Sequence, residues 1–137
     1  MKKTKDKSRS KFDKFFKGLF LIAAIYDFIL GILFFLFYKQ TFNFFNITLP
    51  VYPMYLQMAA AFVFAMGVGY YFVYRRMYQN IDLVKLGVVY KAVYAGLTLY
   101  FYFNNLANVV FVWFAIIDIL FLGFFLEFLR YAKKRNS

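Results

Sequence analysis

The sequence predicts an all-α integral membrane protein, a four-helix bundle with both termini in the cytoplasm, and three observations carry that prediction. The first is apolarity. Of 137 residues 64% are hydrophobic, the mean hydropathy is +0.61, and Phe, Tyr and Trp number 22, 13 and 1, far outside the composition of a soluble domain. The second is segmentation into four apolar stretches, at about residues 18–38, 54–74, 86–103 and 106–129, each near the roughly 20 residues that cross about 30 Å of hydrocarbon. The third is the placement of positive charge. Eight Lys/Arg fall in residues 1–17, three in the loop 75–85 and four from Arg130 onward, whereas the alternate connections hold only Lys39. Cytoplasmic segments carry such an excess. Residues 1–17, 75–85 and 132–137 are therefore expected in the cytoplasm of a bacterial cell, with 39–53 and 104–105 outside the inner membrane.

Taken in order, residues 1–17 (MKKTKDKSRSKFDKFFK) carry eight basic and two acidic residues with no apolar periodicity before Phe12, and are expected to form a disordered basic tail. An orientation signal accounts for it; contact with anionic lipid or an acidic partner is the alternative, each basic residue then contributing roughly 1 kcal/mol. The first span follows a basic segment as a signal peptide would, but no small-residue cleavage site precedes Lys39, which predicts an uncleaved anchor. Residues 39–53 (KQTFNFFNITLPVYP) are too polar and proline-marked to span, and Phe42, Phe44, Phe45 and Tyr52 suit the headgroup region. Asn46-Ile47-Thr48 matches a glycosylation sequon, a motif short enough to arise by chance. The second span is uncharged and sets Ala61, Ala65 and Gly69 at four-residue steps, with Gln57 one turn earlier. Small residues at that spacing let helices approach closely in lipid, so this face is expected to point into the bundle or into another copy. The polar loop 75–85, the third span, a tight turn at Asn104-Asn105, the fourth span and a basic tail complete one transmembrane domain, 18–131.

Three ionisable groups fall inside spans, where such groups are costly and mark a functional site or an internal pair: Asp27, Lys91 and Asp118. At about 1.5 Å of rise per residue, Asp27 lies about 15 Å from Lys17, Asp118 about 18 Å from Arg130 and Lys91 about 9 Å from Lys85. Side chains lean toward their helix N-terminus, so Asp27 and Lys91 lean one way and Asp118 the other. That predicts a Lys91–Asp27 pair, with Asp118 protonated or held by tyrosine hydroxyls such as those of Tyr26, Tyr90 or Tyr94. Small neighbours put all three on helix-contact faces: Ala23, Ala24 and Gly31 beside Asp27, Gly87 and Ala95 beside Lys91, and Ala115 before Asp118. Two blander readings stand beside a functional site, an internal ionic staple and a Lys91 that snorkels to the interface. Glu127 is expected at the interface, with Arg130 three residues on.

There is no cysteine and no histidine, which removes disulfide, thiol-redox and thiolate-metal chemistry together with the commonest haem and zinc ligands. No catalytic residue, metal site or cofactor is expected. The net charge of +11 is explained by topology rather than by nucleic acid. The first functional reading is an interaction or accessory subunit that packs on itself or on a larger membrane complex, through the Gln57, Ala61, Ala65 and Gly69 face and the basic tails. The second is a proton or small-solute transport module using Asp27, Lys91 and Asp118. The third is a protein that binds a lipid or quinone in an aromatic-lined cavity. An enzyme ranks last, because no nucleophile or metal constellation is present.

The ordered set YDFILG in the first span, PMYLQMAAAFVFAMGVGYYFVYR in the second, NIDLVKLGVVYKAVY leading into the third and WFAIIDILFLGFF in the fourth resembles an uncharacterised family of small bacterial four-helix membrane proteins, over about residues 20–130. The resemblance implies that the three intramembrane charges belong to the family's pattern, and it implies no chemistry. In topology alone the architecture is also similar to DoxX-type four-helix proteins.

Overall fold

A long apolar run can satisfy its own backbone N–H and C=O groups only as a helix, and the computed structural model of the chain places each of the four runs in one. Residues 2–136 are described, with side chains from Arg9 to Arg135. The elements are α1 (Lys2–Leu36), α2 (Tyr38–Phe44), α3 (Pro53–Arg75), a 3-10 turn (Met77–Gln79), α4 (Ile81–Phe103) and α5 (Val109–Asn136), with no strand among the described residues. Four helical stretches, Arg9–Leu36, Pro53–Arg75, Ile81–Phe103 and Val109–Arg135, are long and apolar enough to cross a membrane.

Local chemistry sets the ends. Pro53 opens α3, where a missing N–H leaves no hydrogen bond unmade. Asn46 and Asn105 take φ of 56° and 60°, and behind them Ile47 N–H donates to the Phe42 carbonyl and Leu106 N–H to the Phe101 carbonyl, both at 2.8 Å. This is the Schellman closure, with asparagine in the left-handed position. The asparagine of the sequon is thus a helix cap. Asn80 Nδ2 donates to the carbonyls of Phe72 and Arg76, each at 3.0 Å, which satisfies the end of α3 and fixes the corner into α4.

The helices pack mainly as two pairs, α1 with α3 and α4 with α5. At Gly31 the backbones of the first pair approach so closely that a Cβ would lie 2.8 Å from Phe64 Cβ and 2.9 Å from the Ala60 carbonyl oxygen. The continuous apolar core, with Phe16, Phe20, Tyr70, Val73, Val84, Phe125 and Phe128 at its centre, fills the half of the bundle that carries both termini.

Two expectations change. Residues 2–17 continue the first span as one 35-residue helix, about 52 Å long at 1.5 Å per residue, so α1 projects beyond the apolar zone as a helix rather than as a disordered tail. The face formed by Gln57, Ala61, Ala65 and Gly69 is divided: Gln57 Nε2 donates to the Phe35 carbonyl of α1 at 3.1 Å and Gly69 is half-buried, but the two alanines between them lie outward. Ala61 and Ala65 are exposed, and α3 turns Ala60, Gly67, Tyr70 and Val73 inward instead. Small residues occur on both sides of α3, and the close approach at Gly31 selects the Ala60 side. Boundaries shift as well, with α4 starting inside the expected loop at Ile81 and α5 at Val109.

Candidate functional site

The α4–α5 hairpin turns at Asn104-Asn105, and Lys91 lies thirteen residues before Asn104 while Asp118 lies thirteen after Asn105. Equal distance from the turn puts the two at one depth on facing helices. Lys91 Nζ donates to Asp118 Oδ1 at 2.8 Å, and Asp27 Oδ1 on α1 lies 3.8 Å from the same nitrogen. All three side chains are buried: Lys91 is 0%, Asp27 2% and Asp118 5% exposed. The Nζ also sits 5.0 Å from the ring centroid of Phe121, 5.4 Å from Tyr70, 5.8 Å from Tyr90 and 5.9 Å from Tyr26, a set of aromatic faces that favours a cation.

The expected order of partners is therefore reversed. Asp118, not Asp27, holds the hydrogen bond to Lys91, and none of the hydroxyls of Tyr26, Tyr90 and Tyr94 bonds to Asp118 among the described contacts. The lean of a Cα–Cβ bond displaces a side chain by about one residue, whereas a lysine reaches along a flexible four-carbon stem, so the hairpin register decides. Lys91 does not snorkel; it points into the bundle.

Two carboxylates share one ammonium, which leaves one formal negative charge in excess. Asp27 Oδ2 is buried with no hydrogen-bond partner among the described residues, as are the Tyr26 and Tyr70 hydroxyls. Asp27 and Asp118 border a cavity of about 110 Å³ walled by Tyr90, Tyr94, Phe34, Phe111 and Phe114. Leu56 near the start of α3 and Phe111 near the start of α5 are also in its lining, so it extends from the charges toward the end of the bundle away from the termini. On the opposite side Phe20, Tyr70, Val84 and Phe125 are fully buried and close the path. Tyr70 is pressed into place by Gly87, where a Cβ would lie 2.7 Å from the ring. At about 30 Å³ per water the cavity has room for about three waters or for a guest of a few heavy atoms. Chemically, the arrangement offers a buried carboxylate oxygen able to accept a proton or to hold a small cation. No group of three or more His, Cys, Asp and Glu suited to a metal ion occurs among the described residues.

A second polar cluster was not foreseen from the sequence. Arg135 donates to Asp13 Oδ2 at 2.6 Å and to the Tyr78 hydroxyl at 2.9 Å, while Tyr78 and Tyr131 donate to Asp13 Oδ1 at 2.5 and 3.2 Å. The guanidinium lies 4.2 Å from the Tyr78 ring centroid. Burial, together with the hydrogen bond to Asp13, pushes the Tyr78 phenol up. A signal for the cluster exists in the chain: Asp13, Phe16, Phe20, Ala24, Asp27 and Gly31 recur at three- and four-residue steps, so the inward face of α1 begins inside the basic segment. Glu127 and Arg130 form the expected surface pair at 3.3 Å.

Comparison with family profiles, with curated proteins and with solved structures found no match.

Proposed function

We propose that the chain is a multi-pass protein of a bacterial inner membrane, with both termini cytoplasmic, and that it binds one exchangeable small cation, a proton or a small ammonium, at Asp27. This is the small-solute or proton module rather than a static ionic staple. The observation that carries the reading is the mismatch at the charged centre. A staple needs one carboxylate for one ammonium, yet here a second carboxylate is buried beside the first pair, one of its oxygens has no hydrogen-bond partner among the described residues, and the residue lines a cavity. A buried uncompensated charge is costly enough that Asp27 is stable there with a cation bound. The excess of Lys and Arg at the end carrying both termini supports the orientation.

The test is modification of the full-length protein in detergent by a hydrophobic carbodiimide, which attacks protonated carboxyl groups in apolar surroundings. Asp27 is expected to label and Asp118, bonded to Lys91, is not; labelling should fall as pH rises or as methylammonium is added. An unreactive Asp27, or labelling indifferent to pH and to amine, would remove the reading. A second reading, an accessory subunit that packs on a copy of itself or on a larger complex, is favoured by the outward position of Ala61 and Ala65.

A further inference from the structure

At the end of the bundle carrying both termini, where α1, the 3-10 turn and α5 meet, lies a recess of about 440 Å³ lined by Arg9, Ser10, Asp13, Lys14, Lys17 and Arg135, with Met77 beneath. We infer that this recess binds the anionic phosphate headgroup of a bilayer phospholipid. The inference is independent of Asp27 and its cavity.

Charge is the first argument. Among the described residues Asp13 is the one acid in the lining, and it is already taken, by Arg135 at 2.6 Å and by the hydroxyls of Tyr78 and Tyr131. Among the described residues, four cations against that one carboxylate leave three positive charges lining the recess, from Arg9, Lys14 and Lys17. Neither Arg9 nor Lys14 has an acidic partner among the described ion pairs. Fixed geometry is the second. Ser10, Asp13, Lys14 and Lys17 fall at three- and four-residue steps on one face of α1, and that face is held to α5 and the 3-10 turn by the Asp13 cluster. Lys17 is further positioned by the Tyr74 ring, 5.2 Å from its Nζ. The recess is thus built from three segments and differs from a loose scatter of surface lysines.

Depth selects the source of the phosphate. Lys17 immediately precedes the apolar run beginning at Gly18, and the exposed rings of Phe12 and Phe15 flank it as aromatic residues do at the headgroup level. A lipid phosphate lies at that level with its acyl chains alongside the span, and arginine and lysine are the side chains that grip it.

The full-length protein is assembled into nanodiscs containing equal phosphatidylglycerol and phosphatidylcholine, and lipids retained after transfer to the gas phase are counted by native mass spectrometry. The wild type is expected to keep one phosphatidylglycerol per chain with about tenfold preference. Arg9→Gln with Lys14→Gln should reduce the preference to less than about threefold while leaving the thermal melt unchanged. Arg75→Gln with Arg76→Gln, the same change of charge outside the recess, should leave the preference intact. Equal retention of the two lipids by the wild type would overturn the inference. Equal loss in both double variants would also overturn it, because diffuse charge would then suffice. So would a thermal stabilisation by inorganic phosphate in lipid-free detergent as large as that by phosphatidylglycerol, which would make the ligand a soluble anion.

Discussion

Lys91 carries its charge at a fully buried position, stabilised by Asp118 at 2.8 Å, by Asp27 at 3.8 Å and by four aromatic rings. Lys91→Met removes the only cation of the centre and leaves two carboxylates facing each other, so it should cost about 3–5 kcal/mol, the usual penalty for breaking a buried ion pair. Thermal melts in detergent measure it, and an unchanged midpoint would show that the charges are not coupled. All three members of this centre were legible in the sequence, because an ionisable residue in an apolar run is conspicuous at any depth. Of their pairing, the Lys91–Asp27 contact was legible and the shorter bond to Asp118 was not read, although the chain contained it. Depth measured from the basic ends accumulates uncertainty in where each span begins, whereas depth measured from the shared Asn104-Asn105 turn places Lys91 level with Asp118 directly. The aromatic surroundings were hidden for a different reason: Tyr70 and Phe121 come from α3 and α5, and in a chain this rich in aromatics nothing distinguishes the rings that face Lys91 from those that face outward.

Within α3, two small-residue faces compete, and only one packs against α1. Ala60 is buried beside Gly31, so Ala60→Leu should overpack that contact and destabilise the bundle by about 1–3 kcal/mol. Ala65→Leu, on the outward face, should stay within about 0.5 kcal/mol. A midpoint lowered equally by both would mean that the two faces are not distinguished as described; a loss of self-association confined to Ala65→Leu would support the accessory-subunit reading. On α4, Gly87→Ala should displace the Tyr70 ring, with a loss of about 1–3 kcal/mol, while Gly96→Ala, where a Cβ meets open space, should be neutral or slightly stabilising. The four apolar helices themselves were legible from length and hydropathy. Their ends were less so, because capping by Asn46, Asn80 and Asn105 depends on backbone geometry that composition does not encode, and because α1 stays helical through a segment whose charge suggests a disordered tail.

The bundle as a whole is asymmetric along its length. A tightly filled aromatic core occupies the half beside the termini, the charged centre lies at its border, and the cavity occupies the half beyond. The end carrying the termini is tied across three segments by Asp13, Tyr78, Tyr131 and Arg135. Asp13→Asn should therefore speed amide hydrogen exchange in residues 9–17 and at the end of α5 without altering exchange around Lys91, and unchanged protection at both helix ends would contradict the tie. The four-helix arrangement followed from counting spans; the closed and open halves did not, since they depend on which aromatic side chains meet. As proposed above, Asp27 is the excess carboxylate, stable through a bound cation in addition to its longer contact with Lys91. Thermal melts of the full chain in detergent, comparing Asp118→Asn with Asp27→Asn at neutral pH, test it most directly. Asp118→Asn is expected to lower the midpoint by about 5–10 °C, because Lys91 loses its hydrogen-bonded partner, and Asp27→Asn to leave it unchanged or raise it, because the remaining pair is balanced. A fall for Asp27→Asn as large as that for Asp118→Asn would contradict it.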